Sequence, residues 1–102
     1  MKQVEPLRSQ PTTLESTGKG GERPAPLYPE IARQEGQQGL VVLAITVNDS
    51  GIITDVQVKE SSGYPLLDRA AKDWVKRHWI IPPAGGTRNY EAPINFRLTK
   101  AD

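Results

Sequence analysis

The stretch from Ser61 to Pro83 leaves this chain few options: it encodes one amphipathic helix, and that helix needs a sheet to lie on. Pro65 suits a first helical turn, where a missing N–H costs nothing. Leu66, Leu67, Ala70, Ala71, Trp74, Val75 and His78 recur at helical spacing and share one face. The other face carries Asp68, Arg69, Lys72, Asp73, Lys76 and Arg77. Asp68–Lys72 and Asp73–Arg77 stand in the favourable i,i+4 order, about 0.3–0.5 kcal/mol each. Pro82-Pro83 forbids continuation.

The regions on either side supply the sheet. Leu40 to Val47 reads as a strand from its β-branched content, Asn48-Asp49-Ser50-Gly51 as a turn, and Ile52 to Glu60 as the returning strand of a hairpin. Val41, Leu43, Ile45 and Val47 point one way. Val56 and Val58 match them in parity but Ile53 does not, and a bulge near Thr54-Asp55 reconciles the two. The opposite face of the first strand, Leu40, Val42, Ala44 and Thr46, is also mostly apolar, so it is either partly covered or meets a partner or a second copy. Ala84 to Asn89 reads as a loop. Tyr90 to Thr99 is the last strand, with Ala92, Ile94, Phe96 and Leu98 inward. Pro93 inside it marks an edge, because proline cannot donate to a ladder. By the period of two, residues 95 and 97 leave backbone groups open.

Before the sheet, Leu27 to Gly36 reads as a short helix with Pro29 in its first turn and Gly36 at its C-cap, and with Leu27, Tyr28, Ile31 and Ala32 as core contacts. Residues 1–26 hold Pro6, Pro11, Pro24, Pro26 and the Gly18-Lys19-Gly20-Gly21 cluster, with only Val4, Leu7 and Leu14 available for burial. They read as a flexible arm: a tether, a strap that docks on a partner, or a plain tail. The expected architecture is α+β, two helices on one face of a three-stranded antiparallel sheet. The order is α-β-β-α-β and the strand order 2-1-3, with the last strand an open edge.

Composition excludes several function classes. Thirteen basic against twelve acidic residues give no dominant sign, unlike the basic face of a nucleic-acid binder. Gly36-Gln37-Gln38-Gly39 matches a GxxG, but it leads into a strand with no basic cluster around it, so it reads as a helix-to-strand turn. There is no cysteine and one histidine, His78, which leaves no thiolate or histidine-rich metal site. No cofactor is expected. The apolar run Gly39–Val47 is too short to span a membrane as a helix. An enzyme needs a nucleophile–base pair or paired carboxylates in a pocket. His78 lies on the helix stripe, Ser61-Ser62 precede a turn, and Asp68 suits the helix dipole. Trp74 and Trp79 fit core positions better than a ligand-stacking site.

The assembled pattern resembles the C-terminal domain of the TonB family. The resemblance rests on Tyr28-Pro29 with Ala32, Gly36 and Gly39, the Val41–Val47 alternation, Asp49-Ser50-Gly51, Val56 and Val58. It continues through Ser61-Ser62-Gly63, Leu67-Asp68 with Ala70-Ala71, Trp79 with Pro83, and Phe96-Arg97-Leu98, covering residues 27–99. It implies a periplasmic domain, 27–102, on a proline-rich linker whose end is the arm 1–26. The full-length protein would be anchored in the inner membrane by an N-terminal helix absent here. It further implies coupling to an ExbB–ExbD-type motor. The domain would grip the TonB box, a short extended segment of an outer-membrane receptor, as an added strand, and so drive substrate uptake. The expected contact residues are Arg88, Tyr90, Glu91, Pro93, Asn95 and Arg97 along the last strand. Arg23 and Ala25 join them on the approach to Tyr28-Pro29, where some relatives place a glutamine. The other readings of this architecture are a TolA-like envelope scaffold and a module that self-associates across the open edge as a homodimer.

Overall fold

The computed structural model of the chain describes residues 12–17 and 21–98. Pro6, Pro11, Val4, Leu7, Gly18-Lys19-Gly20 and the expected strand end at Thr99 lie outside these. The elements run β1 (Thr12–Thr13), α1 (Glu30–Gln34), β2 (Gly39–Val47), β3 (Ile53–Glu60), α2 (Pro65–His78) and β4 (Arg88–Phe96).

α2 forms where its stripe predicts. Pro65 opens it, and Leu67, Ala71 and Val75 are fully buried against the sheet. The stripe meets Val41, Leu43, Ile45 and Val47 of β2 together with Val56, Ala92, Ile94 and Phe96, all buried. The helix stops at His78, Trp79 leaves in extended backbone, and its N–H still bonds the Val75 carbonyl. The i,i+4 ion pairs expected on α2 are not made: among the described residues the ion pairs are Glu30–Arg33 and Lys59–Glu91. Asp68 turns back instead to the strand–helix turn. It accepts the Ser62 N–H at 2.9 Å, the Ser62 hydroxyl at 2.8 Å and the Ser61 hydroxyl. Burial raises its pKa, but these three bonds outweigh it and hold the carboxyl below its ordinary 3.8.

That sign sets a prediction. A depressed carboxyl stabilises the fold above its ordinary pKa, and the contribution is lost as pH falls through the folded value. Asp68→Ala should therefore cost about 2 kcal/mol at neutral pH. The gap to the parent chain should close as the pH drops below 3.8. Urea unfolding across pH 2–7 measures it; a gap that stays constant with pH would refute the carboxylate's role.

The hairpin keeps its expected place. The Asn48 side chain accepts the Ser50 and Ile52 N–H groups at 2.9 and 3.0 Å and closes the turn. β3 pairs with β2 through two register shifts. One leaves Thr54 unpaired between Asp55 and Ile53, where the apolar parity required a bulge; the other leaves Lys59 unpaired.

The sheet corrects the expected strand count. It has four strands in the order β1-β4-β2-β3. The three long strands are antiparallel and keep the expected 2-1-3 arrangement. Thr12–Thr13 adds a short parallel strand on the outside of β4, so β4 is not an open edge along its whole length. The physical reason is the one that makes edges hazardous: unpaired N–H and C=O groups recruit any extended backbone within reach. The described parts of the arm, read from sequence as flexible, lie against the domain.

α1 corrects a second expectation. It is only five residues long, with Pro29 at the N-cap rather than inside the first turn. Ala32 is buried and Tyr28 half-buried, but Leu27 and Ile31 are 72% and 59% exposed, because so short a helix presents one side chain to the sheet. On the outer face of the sheet Leu40 is 44% exposed, while Val42 and Ala44 are half-buried. The Lys59–Glu91 pair reaches from β3 to β4 across this face and lays its lysine stem over it.

Candidate functional site

A sheet of this kind has two outer edges. β3 forms one, carries Asp55, Lys59 and Glu60, and is interrupted by both bulges. Charge and bulges are devices that block strand addition. β4 forms the other, pairs with β2 without a register shift from Gly39↔Phe96 to Val47↔Arg88, and contains Pro93. Its geometry follows the parity that Pro93 imposes. Leu14 donates its N–H to the Glu91 carbonyl at 2.8 Å, so Glu91 turns its backbone outward, and Pro93 and Asn95 follow at the same phase.

Among the described residues β1 covers this edge at Tyr90 and Glu91. Beyond it a cleft of about 180 Å3 runs beside Pro93–Arg97. Ser16, Ala25 and Pro26 of the arm form one wall, and Tyr28 and Phe96 also line it. The two rings meet edge to face, centroids 5.3 Å apart at 77°. The Tyr28 hydroxyl donates to the Gln37 carbonyl, and burial raises its pKa.

The arm wall is fixed by an arrangement that periodicity could not reveal. Trp74 and Trp79 both donate their indole N–H to the Pro24 carbonyl, each at 2.8 Å. A carbonyl has two lone pairs, so one acceptor satisfies both. The Ile80 N–H bonds the Glu22 carbonyl at 2.8 Å, and Arg23 donates Nε–H to the Glu15 carbonyl at 2.8 Å. Trp79 is thus a core residue, as its position predicts, and also a tether. Trp74 is half-buried, with the exposed His78 ring 4.0 Å away.

The sequence-predicted contact residues divide accordingly. Pro93, Asn95, Arg97 and Ala25 line the cleft together. Glu91 and Tyr90 sit under β1, and the Glu91 carboxylate is turned to Lys59. Arg88 is engaged internally, donating to the Tyr90 hydroxyl at 2.7 Å and the Pro82 carbonyl at 3.0 Å, with its guanidinium 5.7 Å from the Tyr90 ring centre. Arg23 holds the arm's return and does not line the cleft. Leu14, one of the arm residues available for burial, is half-buried against the core, but the pairing of Thr12–Thr13 with β4 and the two indole tethers have no counterpart in the sequence reading. Among the described residues no cluster of His, Cys, Asp or Glu could hold a metal, and no helix is long and apolar enough to cross a membrane.

The family model for the Gram-negative bacterial TonB protein C-terminal matches residues 24–98. The chain belongs to the TonB C-terminal family. That family is one of energy transducers rather than enzymes. Protein tonB2 of Pseudomonas aeruginosa is 39% identical over 79 residues, covering 74% of this chain and 29% of that protein. Protein TonB of Neisseria gonorrhoeae is 32% identical over 78 residues, covering 76% and 27%. The chain thus spans less than a third of the length of these curated relatives. Among solved structures, the TonB C-terminal domain of Helicobacter pylori superposes with a TM-score of 0.65 at 28% identity, over 74% of this chain and 71% of that one. The Pseudomonas aeruginosa TonB domain gives 0.62 at 27% identity, over 76% and 82%. The TonB domain fold, two helices on one side of a sheet, is therefore shared.

Proposed function

We propose that this TonB-family domain is the periplasmic receptor-binding end of an energy transducer, and that the outer edge of β4 takes the TonB box of an outer-membrane transporter as an added strand. The observation that carries this reading is that β4 already accepts a strand there: Thr12–Thr13 pairs with Tyr90–Glu91 in parallel, and the cleft beside Pro93–Arg97 leaves the rest of the edge room for more. Strand addition draws its affinity from main-chain bonds and its selectivity from side-chain pockets. Four or five bonds at a net ~0.5–1.5 kcal/mol each, less the cost of ordering a peptide, give roughly micromolar binding. Asn95 and Arg97 flank that ladder, and Ala25 faces it, so they are the candidates for reading the partner's side chains. Coupling to an ExbB–ExbD-type inner-membrane motor, and the anchor it needs, belong in this reading to the length of the relatives that the chain does not span.

The test is a titration of the isotope-labelled chain with a TonB-box peptide, read by amide NMR. Shifts should concentrate in residues 88–98. Asn95→Pro removes the outward N–H without touching the β2 ladder and should weaken binding by about tenfold or more, ~1.4 kcal/mol, with the fold intact. Normal binding by that variant sinks the edge-strand model. Shifts confined to the Leu40–Thr46 face would favour a self-associating or scaffold module instead.

A further inference from the structure

We propose that Thr12–Leu14 is an internal placeholder, a segment of the chain that occupies the partner's position on β4 and must leave before a longer strand can pair along the whole edge. This rests on the proposed use of that edge.

Three observations carry it. The first is register. Thr12 stands opposite Tyr90 and Thr13 opposite Glu91, and the Leu14 N–H takes the Glu91 carbonyl at 2.8 Å. Glu91 is one of the outward-facing positions of this edge, so a strand added over it would use the same backbone groups. An incoming segment pairing from Tyr90 to Arg97 and β1 cannot hold the Glu91 carbonyl in the same way at once.

The second is how lightly the segment is held. β1 is two residues long and both are exposed. Its side-chain anchor is Leu14, half-buried against the core. A strand this short exchanges easily, because it fixes few backbone bonds and buries one aliphatic side chain.

The third is that the rest of the arm is fastened independently. Thr17 donates its N–H to the Arg23 carbonyl at 2.7 Å, and the Arg23 N–H returns to the Thr17 hydroxyl at 3.1 Å. Arg23 holds the Glu15 carbonyl, and two indoles hold the Pro24 carbonyl. Thr12–Leu14 can therefore lift from β4 while Ala25 and Pro26 stay in place as the cleft wall. The placeholder also states what the site prefers: an extended segment, parallel to β4, with an aliphatic side chain where Leu14 sits.

A ligand whose competent state is only partly populated binds with its affinity reduced by that fraction. A placeholder seated about 90% of the time weakens apparent binding about tenfold. Leu14→Pro removes both the donor and the aliphatic anchor, and lies outside the β2–β4 ladder. In the full 102-residue chain it should tighten binding of a TonB-box peptide about tenfold. Unchanged affinity would overturn the proposal, and so would weaker affinity, which would make the arm part of the receptor site. A second probe is the chain's own segment as a free peptide, Gln10 to Ser16. Added to the Leu14→Pro chain, it should shift the amides of residues 90–95 and compete with the box peptide. If no box peptide binds either chain, the receptor reading fails, and the Gln10–Ser16 peptide still decides the placeholder: shifts at 90–95 sustain it, and none reject it. The reverse manipulation is Thr13→Cys with Glu91→Cys in a chain that has no cysteine of its own. Oxidation should block the box peptide and reduction restore it; equal binding in both states would reject the competition.

Discussion

Replacing Gly51 by alanine is expected to remove about 3 kcal/mol of stability, a large share of the 5–10 kcal/mol or so that a domain of this size has in total. Two costs add. Gly51 closes the β2–β3 turn at φ +87°, a conformation that costs a residue with a Cβ about 1–2 kcal/mol. The added Cβ would also fall 2.4 Å from the Ile81 carbonyl oxygen and 3.1 Å from the Pro83 nitrogen. Both are backbone atoms, so no side chain can swing away, and the hairpin or the 81–83 segment must move. The comparison that isolates the second cost is Gly36→Ala. Gly36 also has positive φ, +72°, but nothing lies within 4 Å of its Cβ direction, so only about 1 kcal/mol should be lost. Chemical unfolding of the two variants measures the difference. Equal losses would mean that the turn does not press on residues 81–83.

Phe96→Ala should cost about 3–5 kcal/mol, since a buried aromatic leaves a cavity that its neighbours fill only in part. Phe96 is 4% exposed, closes the end of β4 opposite Gly39, and backs Tyr28 edge-on. Its loss reaches function as well as stability. Without the ring Tyr28 loses its edge-to-face partner, and the cleft between the arm and Pro93–Arg97 loses one of its lining side chains. Peptide binding should weaken beyond the fraction unfolded, and the amides of Ala25 and Tyr28 should report the change. A variant that is destabilised but binds normally once corrected for folding would separate the cleft from the core.

Much of this architecture is written in local pattern. The stripe of α2 fixes its face, Pro65 fixes its start, Pro82-Pro83 bounds its end from beyond the actual stop at His78, and the parity clash between Ile53 and Val56 demands the bulge found at Thr54. Pro93 alone gives the phase of β4, and with it which backbone groups face outward. The site was legible to that extent: one strand edge, in the right phase. Its occupancy was not. Thr12–Thr13 finds β4 across most of the chain's length through backbone bonds that leave no side-chain period to read. The Pro24 carbonyl carries no sequence signal at all, although two indoles converge on it. Leu27 and Ile31 misled because a helical pattern over ten residues became a helix of five, too short to bury a stripe.

That convergence on Pro24 has an optical consequence. The chain has two tryptophans, and both bond the same arm carbonyl. Its ultraviolet emission is therefore a native, label-free gauge of where the arm lies. Release of Pro24 would send the partly exposed Trp74 indole toward longer wavelengths, while Trp79, 5% exposed, would change mainly in quenching. Departure of Thr12–Leu14 alone would leave both rings dark to the event. A single emission spectrum can thus distinguish a partner that merely takes the strand's place from one that strips the whole arm away.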